Sequence, residues 1–227
     1  MKSILFLIAL LIGFSGETTS LKNKVNKIEI TSLPFEITNL TKYPTPLYAV
    51  NSELASEISL HAYSDVNLKK RIKYDDTNCT VFRRFNTESK NYILLDLAIE
   101  IGENERHLLA TFNSNYQIID TLDVAVGGSF DNFTFTKQYR LDSDFKATVY
   151  WLKPLSETPV YFRPDTPSFE AQRIDSHYHI DDNGKFIQDE EILYKPQIYK
   201  PQEISVDGKN IWGGKEEKIN RQSKTVF

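Results

Sequence analysis

The amino-acid sequence predicts an all-β protein, mainly antiparallel, built as a meander, a sandwich or a barrel-like sheet with one short helix. The chain of 227 residues contains 14 Phe, 12 Tyr and 2 Trp interleaved with Ile, Val and Thr, a composition typical of strands. Apolar segments separated by turn residues recur between residues 80 and 152, which indicates an antiparallel meander. The single cysteine, Cys79, excludes a disulfide within the chain, so packing must stabilise the fold.

The meander begins with the most regular strand of the sequence, where Leu95, Leu97 and Ile99 alternate and should share one buried face. Turn residues divide the rest of this region into further strands. The predicted strands of the meander are 91–101, 106–112, 116–126, 130–139 and 145–152.

Shorter elements flank the meander on both sides. Two short strands are predicted within 22–43, where prolines interrupt the alternation, and a short helix is predicted within 52–66 behind Ser52 as N-cap. Four prolines in 154–167 predict a connecting loop. A last hairpin should pair 173–180 with 185–191 around a tight turn at 181–184.

The N-terminal sixteen residues are predicted to be a secretory signal peptide. Lys2 precedes the apolar run 4–12, which is shorter than a membrane span, and small residues suit cleavage after Ser15 or Gly16. The mature protein is therefore expected in the periplasm or outside the cell, with no stable membrane span. Residues 17–193 should form a single β-rich domain.

The composition changes after residue 193, where Tyr-Lys-Pro-Gln occurs twice within nine residues and a polar segment follows. Prolines at this spacing favour extended chain, and a low apolar content does not offset the entropy lost on ordering. Residues 194–227 are therefore predicted to be a flexible C-terminal tail.

The net charge of −4 argues against nucleic acid as a partner. Lys69, Lys70 and Arg71 form the longest basic run, and the solvated face of a strand accounts for it. Cys79 has no neighbouring helix start or histidine that would activate it, so it is interpreted as an inert core thiol. The segment 181–184 lacks the ligand spacing of a calcium loop and is interpreted as a plain turn.

One pattern has the residue types of a metal site. On a strand, Asp175, His177, His179 and Asp181 project from the same face. Two such histidines with a carboxylate can hold zinc and activate water. A strand with one polar, solvated face explains the same alternation without a metal.

The segments Tyr-His-Ile-Asp-Asp-Asn-Gly-Lys-Phe at 178–186 and Gln-Ile-Ile-Asp-Thr-Leu at 117–122 resemble those of a loose group of uncharacterised exported proteins from Bacteroidota. The resemblance covers about residues 80–190. It implies a β-rich envelope protein of unknown function, and it supplies no catalytic residues to carry over.

Two functional hypotheses follow. The first is a non-enzymatic envelope or secreted module that binds a protein, a peptide or a glycan, without catalytic residues and without a cofactor. The second is a metal-dependent hydrolase that uses zinc at His177 and His179. They differ in whether those two imidazoles converge with a carboxylate in a concave pocket.

Overall fold

The structure is a computed structural model. It describes residues 21–37, 48–51, 54, 55, 57, 58, 62, 78–88, 90–101, 104–127, 135–155, 167–200, 205, 206, 209, 210 and 218–223. The predicted signal peptide, the basic run 69–71 and most of the predicted proline-rich loop lie outside the described residues.

Strands account for most of the described chain. They are β1 (Ile30–Thr31), β2 (Phe35–Glu36), β3 (Tyr48–Ala49), β4 (Asn78–Phe85), β5 (Ile93–Ile101), β6 (Asn104–Phe112), β7 (Ile118–Gly127), β8 (Phe135–Leu141), β9 (Lys146–Pro154), β10 (Phe169–Ile180), β11 (Phe186–Tyr194), β12 (Gln197–Tyr199), β13 (Ser205–Val206), β14 (Lys209–Asn210) and β15 (Lys218–Ser223). In the described residues, helical backbone occurs in short stretches at 21–25 and within 54–62.

Most of these strands belong to one large sheet that is not closed. Its order among the described strands is β1-β4-β5-β6-β7-β8-β9-β10-β11-β15. Three short strands lie off this path: β2 pairs with β8, β3 pairs with β4, and β12 pairs with β10. Neighbouring strands are antiparallel except β1, which runs parallel to β4. The prediction of an all-β, mainly antiparallel fold is confirmed.

The sheet folds back on itself, so that β8–β11 face β4–β7. Where the two halves meet, the described residues pair β7 with β8 at Val126 with Lys137 and at Gly127 with Phe135. The tip of the β10–β11 hairpin then reaches β6 and β7, where the Thr111 hydroxyl donates to the Gly184 carbonyl at 2.6 Å. Apolar residues from both halves fill the space between them, including Phe82, Leu94, Leu109, Val124, Tyr139, Leu141, Phe145 and Val149.

A second core lies on the other face of β4–β6. Leu95, Leu97 and Ile99 are fully buried there, as their alternation predicted. Buried residues of the N-terminal helical stretches, among them Val25 and Ile58, pack on this face. The central strand β5 is therefore buried on both faces, and this accounts for a nearly continuous apolar run.

Three hairpin turns of the sheet share one backbone geometry. In the turns that begin at Asn113, Asp142 and Asp181, the first residue donates its N–H to the carbonyl of the fifth and accepts from the N–H of the fourth. The fourth residue has positive φ in each, at 61° for Tyr116, 61° for Phe145 and 82° for Gly184. The similar segments 139–146 and 178–185 are therefore copies of a turn within one sheet.

Only one of these turns uses glycine at the left-handed position. A Cβ at Gly184 would lie 3.1 Å from Ile119 Cδ1 and 3.2 Å from Tyr92 Cβ, so a larger residue would also crowd the core. At the other two turns an aromatic residue adopts this conformation, which costs about 1 to 2 kcal/mol of backbone strain. Both rings are buried, and their burial offsets that strain.

The region predicted to be a flexible tail contributes two strands to the main sheet, a feature that the composition did not reveal. Strand β12 pairs with β10, and Tyr199 packs against Phe169 with ring centroids 6.3 Å apart. Strand β15 pairs with β11 from Glu190 to Tyr194. The tyrosines of the repeat, Tyr194 and Tyr199, are both buried and anchor this part of the chain.

Cys79 lies in the core with an exposed fraction of 2%. Burial raises the pKa of its thiol to about 12, so the reactive thiolate is scarce at neutral pH. The prediction of an inert core thiol agrees with this placement.

Candidate functional site

Three of the four residues predicted as metal ligands lie in the C-terminal half of β10, and the fourth, Asp181, begins the turn that follows. Asp175 is buried, and its carboxylate accepts two hydrogen bonds from the Arg173 guanidinium at 2.8 and 2.7 Å and one from the Tyr194 hydroxyl at 3.0 Å. These donors saturate the carboxylate as a bidentate ion pair. Asp175 therefore holds β10 and β11 together.

The two histidines have separate partners on opposite neighbouring strands. His177 Nδ1 lies 3.2 Å from the Thr148 hydroxyl on β9, and His179 Nδ1 lies 2.7 Å from Asp189 Oδ1 on β11. A bulge in the pairing with β11 follows His177, and it shifts the register between the two positions.

Asp181 is used by its own turn. Its Oδ1 accepts hydrogen bonds from the backbone N–H groups of Asn183 and Lys185 at 2.9 and 2.7 Å. The backbone hydrogen bond from Lys185 lowers the pKa of this carboxyl below its usual value. Among the residues that the structure describes, no group of three or more His, Cys, Asp or Glu side chains could hold a metal ion.

A zinc analysis distinguishes the two interpretations of this strand. We expect that replacing His177 and His179 together by glutamine leaves the metal content unchanged and the free energy of unfolding within about 1 kcal/mol, because exposed pairs contribute little. Metal should be measured on protein purified without an affinity tag. One equivalent of zinc that is lost in the double variant would instead support the hydrolase hypothesis.

A charged network that the sequence analysis did not identify lies deep between the two halves of the sheet. His107 Nδ1 is 2.8 Å from Asp96 Oδ1 and its Nε2 is 2.9 Å from Glu105 Oε1, while the Tyr139 hydroxyl donates to Asp96 Oδ2 at 2.5 Å. Asp96, His107 and Tyr139 are fully buried. The network joins β5 and β6 to β8.

The charge state of His107 follows from these contacts. Burial lowers the pKa of His107, but the charge and hydrogen bond of Asp96, together with those of Glu105, outweigh it and raise the pKa to about 9. The imidazole is therefore protonated at neutral pH. The Phe82 ring packs edge-on at 4.6 Å between centroids and covers it.

We expect the stability of the protein to decline with pH between about 6.5 and 9. The folded-state pKa of His107 lies above its unfolded-state pKa. Its contribution to the free energy of unfolding is therefore complete below the unfolded-state pKa and is lost as the pH rises through the folded-state pKa. The full contribution is on the order of 3 kcal/mol. Chemical denaturation at a series of pH values measures this slope. In the His107→Gln variant the slope should disappear, and a flat wild-type profile would contradict the assignment.

The structure contains an open cleft where β4 meets β5. Its volume is about 510 Å³, which lies in the range of small-molecule sites. The connection between β4 and β5 supplies most of the wall, with contributions from the β6–β7 turn and the N-terminal segment. The lining residues are 84–88, 90–93, Lys22, Ile30, Ser114 and Tyr116.

The floor of the cleft is aromatic and its rim is polar. Phe85, Tyr92 and Tyr116 are buried, whereas Asn86 and Asn91 are exposed. The left-handed backbone at Tyr116 places that residue in the core beside the cleft. The lining combines an apolar surface with a few polar groups, as ligand sites do.

Positive charge predominates in the cleft. Lys22, Arg84 and Lys90 line it together with one acid, Glu88. Arg84 Nη1 donates to the Val25 carbonyl at 3.4 Å, and Lys90 Nζ lies 5.5 Å from the centroid of the Phe145 ring. Neither Lys22 nor Arg84 forms an ion pair within the described part of the chain.

The chain matches no known family model, no curated protein and no solved structure. In the part of the chain that the structure describes, helices are too short and too polar to cross a membrane.

Proposed function

We propose that the protein is an exported binding module and that the cleft between β4 and β5 is its ligand site. The observation that carries this proposal is the presence of Lys22 and Arg84 in a cleft of about 510 Å³ without acidic partners among the described residues. Cations without an acidic partner in the described part of the chain, beside the exposed Ile30, suit a ligand with both an apolar surface and a negative group.

The position of the cleft also supports this proposal. Its wall is formed largely by a connection between two strands that are themselves buried on both faces. Binding residues are commonly carried by such connections on a rigid scaffold. The buried network around His107 stiffens that scaffold, so the cleft keeps its shape before a ligand arrives.

A matched pair of charge variants tests the cleft as the site. Wild-type protein should be applied to arrays of immobilised glycans and peptides beside the double variant Lys22→Gln, Arg84→Gln. Lys27→Gln is the control, because Lys27 is exposed in the same segment as Lys22 and does not line the cleft. A ligand retained by wild type and by the control and lost by the double variant supports the proposal; a ligand retained by all three overturns the cleft assignment.

Export is tested separately. The intact mass of the protein recovered from its native host should correspond to cleavage after Ser15 or Gly16, because the charged start and short apolar run direct secretion. The mature form should be found in the periplasmic or secreted fraction. A protein in either fraction that still begins at Met1 would contradict processing.

A further inference from the structure

The charge of the cleft is opposite in sign to that of the whole chain. Of the described residues, three cations and one acid line it, whereas the protein carries a net charge of −4. A cleft lined by one sign of charge concentrates ions of the other sign. The ligand is therefore expected to carry a negative group, such as a carboxylate or a sulfate.

The remaining lining residues suit hydroxyl groups. Asn86 and Asn91 have amides and Ser114 has a hydroxyl, and all three are exposed at the rim. Amides and hydroxyls both donate and accept hydrogen bonds, which is also true of the hydroxyls of a sugar. Ile30, which is 41% exposed, and the half-buried Ile93 also line the cleft and give an apolar surface for the C–H face of a sugar ring.

An acidic peptide fits the same cleft less well. Extended peptides commonly bind by adding a strand to a free sheet edge. The described edge strand beside the cleft is β1, which spans two residues, and of these Ile30 lines the cleft. So short an edge offers few backbone hydrogen bonds to a peptide.

From these three observations we infer that the cleft binds an acidic oligosaccharide. The negative group, a carboxylate or a sulfate, lies between Arg84 and Lys22, and the rim amides bind sugar hydroxyls. The fork of the Arg84 guanidinium matches the paired oxygens of either anion. This inference rests on the proposed function, since it names the ligand of the same site.

Calorimetric titration with four matched probes tests it. The probes are a galacturonic acid trimer, a sulfated galactose trimer, a neutral galactose trimer and triglutamate. At low salt, at least one acidic trimer should bind about tenfold more tightly than the neutral trimer, a difference of about 1.4 kcal/mol. The comparison of the two acidic trimers shows which anion the cleft takes.

Single variants locate the contact. Arg84→Gln and Lys22→Gln should each weaken binding of the acidic trimer by about three- to tenfold, a range in keeping with one partly screened charge contact. Lys27→Gln should leave it within about twofold, because its charge lies outside the cleft. Lys22 is exposed, so its variant remains informative if the Arg84 variant unfolds.

Three results would overturn the inference. They are equal affinity for the neutral trimer, tighter binding of triglutamate than of both acidic trimers, and no binding of any sugar probe. The proposed function survives these results if the double variant Lys22→Gln, Arg84→Gln no longer binds another ligand from the arrays that wild type binds. It fails only if array ligands are retained by that variant, so the two failures are distinguishable.

Discussion

Replacing Asp96 with asparagine is expected to lower the free energy of unfolding by about 3 to 5 kcal/mol at neutral pH, because it removes one partner of a buried ion pair. Asp96 accepts from both His107 and Tyr139 and has no exposed surface. The variant leaves a buried imidazolium with Glu105 as its remaining acidic partner in the network. The amide can still form a hydrogen bond with the Tyr139 hydroxyl, so the loss reports the charge of Asp96 rather than the link between β5 and β8.

Asp189→Asn provides the matched control. Asp189 also pairs with a histidine, at 2.7 Å, but about two fifths of each side chain is exposed. Surface pairs of this kind contribute about 0 to 1 kcal/mol. Urea denaturation of both variants at pH 7 makes the comparison, and similar losses in the two would show that the buried network does not stabilise the fold.

The fold class was predictable because the sheet has regular local signals. Leu95, Leu97 and Ile99 alternate, and turn residues separate the strands of the meander, so the periodicity of two is visible without the structure. The same signals do not indicate that Leu94 and Asp96, on the other face of β5, are equally buried. The burial of this face of β5 depends on strands β8–β11 folding back over it, which is a long-range contact.

The candidate site was not predictable for a related reason. Lys22, Arg84 and Tyr116 are separated by many residues and come together only in the folded chain. The alternating His177 and His179 gave the stronger local pattern, but each has a partner on a different neighbouring strand. Residues that share the face of a strand need not share a ligand, because adjacent strands provide competing partners.

The strands of the predicted tail illustrate the same limit. Composition alone reports few apolar residues after 193, and it therefore predicts disorder. A short strand needs only one or two buried anchors when a free edge of an existing sheet is available to pair with it. Tyr199 supplies such an anchor on Phe169, and β11 supplies the edge for β15.

Replacing Leu97 with alanine is expected to cost about 3 to 5 kcal/mol, the upper part of the range for a buried leucine, because the site cannot collapse. Leu97 has no exposed surface and lies opposite Val81 on β4 and Leu108 on β6, both also buried. Backbone pairing on both sides holds these strands apart, so the cavity left by the truncation remains.

Ile198→Ala is the control for this truncation, since Ile198 is 74% exposed and its loss should change stability by no more than about 0.5 kcal/mol. Chemical denaturation should give the two values under identical conditions, with an unchanged dependence on denaturant concentration. A cost below about 0.5 kcal/mol for Leu97→Ala would mean that the register of β5 is wrong, because a shift of one residue moves the side chain to the other face. The face opposite Leu97 carries the charged network, so such a shift would also remove Asp96 from His107. Leu97→Ala and Asp96→Asn alter opposite faces of β5, and together they test its register.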